Sequence, residues 1–271
     1  MIDVQGHRGA RGYLPENTLP AFARALEFGV DTLELDCGVT QDGVVVVHHD
    51  RRLNPDIARG PDGKWVEAPA PAILSLSFRE LQAYDVGRIR PGSEHAKRFP
   101  HQKPIDGTRI PRLSDLFSLT SKNQTIRFNI EPKLDPEAPQ DTLPPEPFAR
   151  ALIAEIRKAG LARRTTIQAF DWRALKVAER EAPEMATVYC TEGMASDPAR
   201  VHAAGGRIWS PNFAELSGKK LSAARALKMR ITVWTVNEPA DIARMIDAGV
   251  DGMASDYPDR VIALLKERGK R

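Results

Sequence analysis

The sequence predicts an α/β protein, a (β/α)8 TIM barrel carrying one antiparallel hairpin, and three observations lead there. Short apolar strand candidates alternate with stretches of helical periodicity along nearly the whole chain. A helix–glycine–strand joint recurs, as Phe28-Gly29-Val30-Asp31 near the start and Asp247-Ala248-Gly249-Val250-Asp251 near the end. Lys158-Ala159-Gly160 and Ala204-Gly205-Gly206 are further versions. Nine strand candidates stand at 2–7, 32–39, 44–49, 126–131, 165–169, 186–190, 207–210, 231–235 and 251–255, and all but one precede a helical stretch. Eight strand–helix units is the number that closes a parallel barrel.

Taken in order, Val4-Gln5-Gly6-His7-Arg8-Gly9 is a strand running into a glycine-flanked His-Arg pair. After it, Leu19, Phe22, Ala23 and Leu26 fall at helical spacing. Asn17 or Thr18 caps that helix, Pro20 fits its first turn and Gly29 ends it. Only Gln41-Asp42-Gly43 separates the second strand candidate from the third. A parallel crossover needs a dozen or more residues, so 44–49 must return antiparallel. With Asp42-Gly43 as a two-residue turn, residue i faces residue 85 − i. Asp36 then lies opposite His49, with His49 on the Asp36 face and His48 on the other.

Residues 50–112 break the rhythm, being rich in proline, glycine and charge, with one short helical candidate at Ser77–Tyr84. The expectation is a single barrel domain over 1–271 with an insertion at about 50–112, covering one side of the barrel mouth. Residues 132–145 form a second, proline-rich loop at the same end.

A net charge of +3 arises from 39 basic and 36 acidic residues, which argues against a dedicated nucleic-acid or membrane-surface protein. No apolar run approaches membrane-spanning length, so no integral membrane segment is expected. The chain has no basic-then-apolar leader and its first strand starts near Met1. The expected location is the cytoplasm, although a trimmed secreted form would look the same. Cys37 and Cys190 read as two free thiols. A monomer or homodimer is expected.

The chemistry converges on strand ends, where barrels of this kind carry their sites. His7, Arg8, Glu34, Asp36, Glu131, Lys133, Phe170 and Trp234 all fall at or near such ends. Glu34 and Asp36 share one strand face, and barrel closure brings the strand ending at Glu131 beside them. Three carboxylates about 4 Å apart repel by roughly 4 kcal/mol per pair at an effective dielectric of 20. Either some protonate, Glu34 pairs with Arg8 without a metal, or a cation sits among them. All-oxygen ligands select a hard ion, Mg²⁺ or Ca²⁺. Arg8 and Lys133 supply positive charge for an anion. His7 and His49 approach from different strands and suit general acid and base work on a phosphate. Trp234 and Phe170 are either core aromatics or an apolar wall for an alcohol or glycerol backbone. Asn237 is expected to cap the following helix. His48, His95, His101 and His202 are read as surface or structural.

These residues resemble the glycerophosphodiester phosphodiesterase family. The matching motifs are His7-Arg8-Gly9, Pro15-Glu16-Asn17-Thr18, Glu34-Leu35-Asp36, Asp42-Gly43 with His49-Asp50, Asn129-Ile130-Glu131-Pro132-Lys133, Gln168-Ala169-Phe170-Asp171, Trp234-Thr235-Val236-Asn237 and Ser255-Asp256-Tyr257-Pro258. The resemblance implies metal-dependent hydrolysis of glycerophosphodiesters to sn-glycerol 3-phosphate and an alcohol. By similarity His7 and His49 are the acid/base pair, and Glu34, Asp36 and Glu131 the metal ligands. Arg8 and Lys133 would contact phosphate, and Glu16 would support the first loop. In related barrel phospholipases a neighbouring substrate hydroxyl attacks phosphorus, and the glycerol 2-hydroxyl could do the same. The departures, Cys37 for an aliphatic residue and Ser255 for threonine, carry no proposed chemistry. Two other readings compete: a lysophospholipase D-like enzyme acting on lipids, which a large apolar patch beside the mouth would favour, and a phosphodiester-binding protein without turnover, which loss of a histidine or carboxylate would suggest, whereas all are present.

Overall fold

The alternation seen in the sequence becomes a closed barrel. A computed structural model describes residues 2–271. In chain order the elements are β1 (Asp3–His7), α1 (Leu19–Phe28), β2 (Thr32–Val39), β3 (Val45–Val47), α2 (Phe78–Leu81), α3 (Glu94–Arg98), α4 (Leu113–Leu119), β4 (Arg127–Pro132), α5 (Pro145–Lys158), β5 (Thr165–Ala169), α6 (Trp172–Glu181), β6 (Ala186–Thr191), α7 (Pro198–Ala203), β7 (Ile208–Pro211), α8 (Gly218–Ala226), β8 (Arg230–Val233), α9 (Pro239–Ala248), β9 (Gly252–Ser255) and α10 (Pro258–Glu267). The sheet runs β1-β9-β8-β7-β6-β5-β4-β2-β3, and β1 also pairs with β2, which closes eight parallel strands. β3 hangs antiparallel on β2.

Period-two alternation sorts the strand residues. Val4, Leu33, Leu35, Cys37, Phe128, Ile130, Ile167, Tyr189, Trp209, Ile231 and Met253 face the helices and form the main apolar core. Their neighbours in sequence, among them Gln5, His7, Glu34, Asp36, Asn129 and Gln168, are buried but polar. They satisfy one another: Asn129 Nδ2 donates to Gln5 Oε1 at 3.0 Å and to Gln168 Oε1 at 2.7 Å. The apolar core is therefore a ring between sheet and helices, and the barrel interior is polar. Thr18 caps α1 and Gly29 ends it in a left-handed conformation, φ 83°. Cys37 and Cys190 are free and buried.

The hairpin register differs from expectation by one residue. Cys37 pairs with Val47 and Val39 with Val45, so residue i faces 84 − i. The reason is a three-residue loop, not a two-residue turn. Thr40 N–H donates to Val44 O at 3.0 Å, Gly43 N–H donates to Thr40 O at 3.0 Å, and Gly43 takes φ 80°. Asp36 consequently faces His48, whose N–H donates to the Asp36 carbonyl at 3.0 Å. His49 comes after the ladder ends and reaches the barrel mouth from the irregular chain that follows.

Residues 50–112 build a small core of their own. Leu53, Ala58, Ile73, Leu81, Val86 and Ile110 pack together with Val46 of β3. The helix expected at Ser77–Tyr84 is one turn, capped reciprocally by Ser77 and Glu80. Arg51 meets Asp135 at 2.7 Å and Arg52 meets Asp141 at 2.6 Å, which ties this segment to the proline-rich 132–145 loop. No helix among the described residues is long and apolar enough to cross a membrane.

Gly9 is where the first loop turns under α1. Its φ is 85°, and a Cβ there would meet the Ala21 carbonyl carbon at 2.6 Å. Gly63 has a similar φ of 76° but faces open space. Gly9→Ala should therefore destabilise by about 3 kcal/mol or more, and Gly63→Ala by about 1 kcal/mol. Urea unfolding of the two variants checks this, and equal losses would contradict the close approach at Gly9.

Candidate active site

The C-terminal ends of the strands enclose a cavity of about 280 Å³. His7, Arg8, Glu34, Asp36, His49, Glu131, Lys133, Phe170 and Trp234 all line it. Glu16 sits directly behind, bonded to Arg8 Nη1 at 2.7 Å. The candidates chosen from separate motifs are thus brought to one place.

Parallel register explains how the carboxylates meet. Asp36 of β2 is paired with Glu131 of β4, and Glu34 with His7 of β1. One oxygen from each of Glu34, Asp36 and Glu131 lies within 4.8 Å of the others, and all three residues are buried. Burial, with Asp36 and Glu131 alongside, raises the Glu34 carboxyl well above its ordinary range. For Asp36 burial acts the same way but is outweighed by Arg8, His49 and Lys133, which hold it below that range. An oxygen-only donor set so spaced could hold a hard divalent cation.

Neighbours fix these oxygens. Gln168 Nε2 donates to Glu34 Oε1 at 2.6 Å, and the Arg8 backbone N–H to Glu34 Oε2 at 3.0 Å. Asn17 Nδ2 donates to Asp36 Oδ2 at 3.0 Å. Lys133 Nζ is 2.7 Å from Glu131 and 3.6 Å from Asp36. Arg8 and Asn17 both adopt left-handed backbone, φ 52° and 55°, and the Asn17 N–H donates to the Arg8 carbonyl at 3.0 Å. Two uncommon conformations side by side aim the loop at the carboxylates.

His7 Nδ1 lies 2.7 Å from Asp256 Oδ1, so the ring donates there and presents Nε2 to the cavity. Burial, then Arg11, pushes the His7 imidazole down to about 4 despite Asp256, which keeps it neutral near pH 7. Asp256 also accepts from Arg11 Nε at 2.7 Å and from Asn237 Nδ2 at 2.7 Å. His49 donates from Nδ1 to Asp50 at 2.9 Å, and Asn54 Nδ2 donates to the other Asp50 oxygen at 2.8 Å. Both histidines thus carry a carboxylate on Nδ1 and leave Nε2 free. Opposite, Phe170 meets Trp234 edge to face with centroids 5.3 Å apart. Phe170 is 43% exposed, so this pair is a wall of the cavity and not core.

The family model described as the glycerophosphoryl diester phosphodiesterase family matches residues 7–260. The chain belongs to that family. The glycerophosphodiester phosphodiesterase of Caldanaerobacter subterraneus is 28% identical over 268 residues, covering 98% of each chain. A solved structure of a putative glycerophosphoryl diester phosphodiesterase from Silicibacter pomeroyi superposes with a TM-score of 0.93 at 35% identity, covering 99% of this chain and 94% of that one. An Oleispira antarctica phosphodiesterase, solved with its product sn-glycerol-3-phosphate, shares the fold with a TM-score of 0.76 at 21% identity, covering 97% and 96%. As a glycerophosphodiester phosphodiesterase family member, the protein is a phosphoric diester hydrolase.

Several residues at this family site had no role in the sequence reading. Asp256 and Arg11 are 245 residues apart, and no local spacing joins them. Asn237 does not cap α9, whose N-cap is Glu238; it grips Asp256 through both its side-chain atoms instead. His95, expected to be structural or exposed, stands 3.4 Å from Asp56 and 3.9 Å from Glu16. His48 is buried with Nε2 lacking a hydrogen-bond partner. Arg98 and Glu192 also line the cavity.

Burial acts to raise Glu16, yet Arg8 and Arg11 overcome it and hold the carboxyl down at about 2 instead of about 4.5. A depressed carboxylate stabilises the fold fully above its unfolded value and loses that contribution as pH falls toward the folded one. Glu16→Gln should therefore cost about 3 kcal/mol at pH 7, the difference shrinking from about pH 4.5 toward pH 2. Urea titrations of both proteins at pH 7 and pH 3 check it; a pH-independent loss would contradict the assigned role of charge.

Proposed function

We propose that the protein hydrolyses glycerophosphodiesters to sn-glycerol 3-phosphate and an alcohol in a metal-dependent reaction with His7 and His49 as the acid/base pair. The observation that carries this reading is the meeting of two carboxylate-backed imidazoles with the Glu34, Asp36 and Glu131 triad in one cavity of a family member. The solved relative holding sn-glycerol-3-phosphate supports the choice of product. In this reading residues 1–271 form one barrel domain, with about 50–112 inserted over the mouth.

Glu34, Asp36 and Glu131 would hold Mg²⁺ or Ca²⁺. The ion would neutralise phosphoryl charge as it develops. His7, neutral and held by Asp256, accepts a proton at Nε2 from the attacking hydroxyl. The attacker is the glycerol 2-hydroxyl, whose oxygen bonds to phosphorus as the bond to the alcohol oxygen breaks. Protonated His49, paired with Asp50, gives its Nε2 proton to that departing oxygen. Water then opens the cyclic phosphate with the proton transfers reversed. Lys133 and Arg8 face the phosphate, and Phe170 with Trp234 packs against the glycerol carbons. Asp256 acts through His7 as a positioning residue, fixing tautomer and ring angle.

Release of glycerol 3-phosphate from glycerophosphocholine should require Mg²⁺ or Ca²⁺ and stop with chelator. His49→Ala should lower kcat by about 10²–10⁴ while leaving folding intact, because the side chain is 27% exposed. A folded wild type inactive with either metal would refute the reading. A deoxy substrate lacking the 2-hydroxyl should be inert; undiminished turnover would instead make water the attacker. Asp256→Asn should reduce kcat and also destabilise by about 3–5 kcal/mol, since Arg11 loses its buried partner.

A further inference from the structure

Three cations that line the cavity are already held by carboxylates. Arg8 is 2.7 Å from Glu16 and 3.1 Å from Asp36. Lys133 is 2.7 Å from Glu131, and Arg11 is 2.7 Å from Asp256. A fourth cation lines the same cavity without such a partner. This is Arg98, the last residue of α3. Among the described residues, no acidic side chain lies within 4.0 Å of its guanidinium. Although Arg98 is exposed at the rim, partial desolvation and the neighbouring Arg11 push it below the ordinary arginine value, with Asp256 and Glu16 only partly compensating. An arginine placed among like charges is relieved by an anion.

Its position is built. Phe99, the next residue, is 3% exposed and carries the Arg11 guanidinium 4.6 Å above its ring. Arg98 itself lies 5.5 Å from the same ring. Gln102 Nε2 donates to the Arg11 carbonyl at 2.8 Å, and Lys103 N–H to the Tyr13 carbonyl at 2.8 Å. These contacts stitch the inserted segment to the loop that carries Arg8 and Arg11. A guanidinium can also offer two parallel N–H groups to one phosphate.

We propose that Arg98, supplied by the insertion, is a further cation that clamps the substrate's phosphate. This rests on the phosphodiesterase reading. Inorganic phosphate separates the two, because its binding needs no turnover.

The test compares Arg98→Ala and Arg98→Lys with Lys97→Ala, which removes an adjacent exposed charge paired with Glu94. Kinetics on glycerophosphoethanolamine and glycerophosphoserine are run beside calorimetry of inorganic phosphate, with Mg²⁺ present. Arg98→Ala should raise KM for both diesters about tenfold to a hundredfold, with kcat little changed. The phosphate dissociation constant should rise in step, Arg98→Lys should recover part, and Lys97→Ala should change neither. Unchanged phosphate affinity in Arg98→Ala overturns the proposal. So does an equal loss in Lys97→Ala, which would mark a diffuse field. A rise confined to glycerophosphoserine overturns it too, by assigning Arg98 to the head-group carboxylate. A protein that binds phosphate through Arg98 yet cleaves neither diester would keep the clamp and sink the reaction.

Discussion

Three carboxylates crowded into a buried space are the constraint on which the rest of this site depends. Glu34, Asp36 and Glu131 offer oxygens within 4.8 Å of one another. At such separations the mutual repulsion is several kcal/mol even at an effective dielectric of 20. The surroundings are arranged to tolerate it. Arg8 and Lys133 counter the charge, while Gln168, Asn17 and the Arg8 backbone N–H bind oxygens directly. The left-handed residues Arg8 and Asn17 make sense in this light, since their conformations serve those contacts. Burial first, and then the Asp36 and Glu131 carboxylates, still raise the Glu34 carboxyl above its ordinary range. An oxygen-only triad under such repulsion could hold a hard cation.

The same economy of charge depends on barrel closure. His7 belongs to the first strand and Asp256 follows the last, and β1 pairs with β9. The histidine's tautomer is therefore set by a residue that arrives only when the sheet closes on itself. Arg11 and Asn237 complete the arrangement from two further loops. A barrel with an apolar interior could not support this chain of contacts. Here the interior amides of Gln5, Asn129 and Gln168 satisfy one another below the site and lead up to Glu34. Stability comes from the outer apolar ring, which leaves the inner face free for polar groups.

This division also explains what could be read from the sequence. Strand count, barrel class and the Glu34, Asp36 and Glu131 grouping follow from alternation and strand ends, which are local signals. The hairpin register does not, because Asp42-Gly43 suits a two-residue and a three-residue loop alike, and only the pairing of Thr40 with Val44 decides. Asp256 and Arg11 stayed without a role because their meeting requires closure over most of the chain. Asn237 followed the pattern of a helix cap, a bias that tertiary contact with Asp256 overrode. Arg98 was hidden for another reason. Its helix buries no residue and shows no apolar stripe, so nothing in the pattern announces it.

His49 and Arg98 lie outside the barrel strands, and the inserted segment that carries Arg98 is held to the barrel at several points. The inserted segment shares its small core with Val46 of β3, which lies between the hairpin loop and His49. It is pinned to the 132–145 loop by Arg51 and Arg52, and to the first loop by Phe99 and Gln102. Its coupling to both sides means that a shift in the insertion would be felt at the cavity. The strand ends thus set where charge is gathered, and under the proposal for Arg98 the insertion would help to select the anion that approaches it. Under the proposed mechanism, changes in substrate preference should then map to residues near 50–112, and changes in the chemical step to the strand ends and His49.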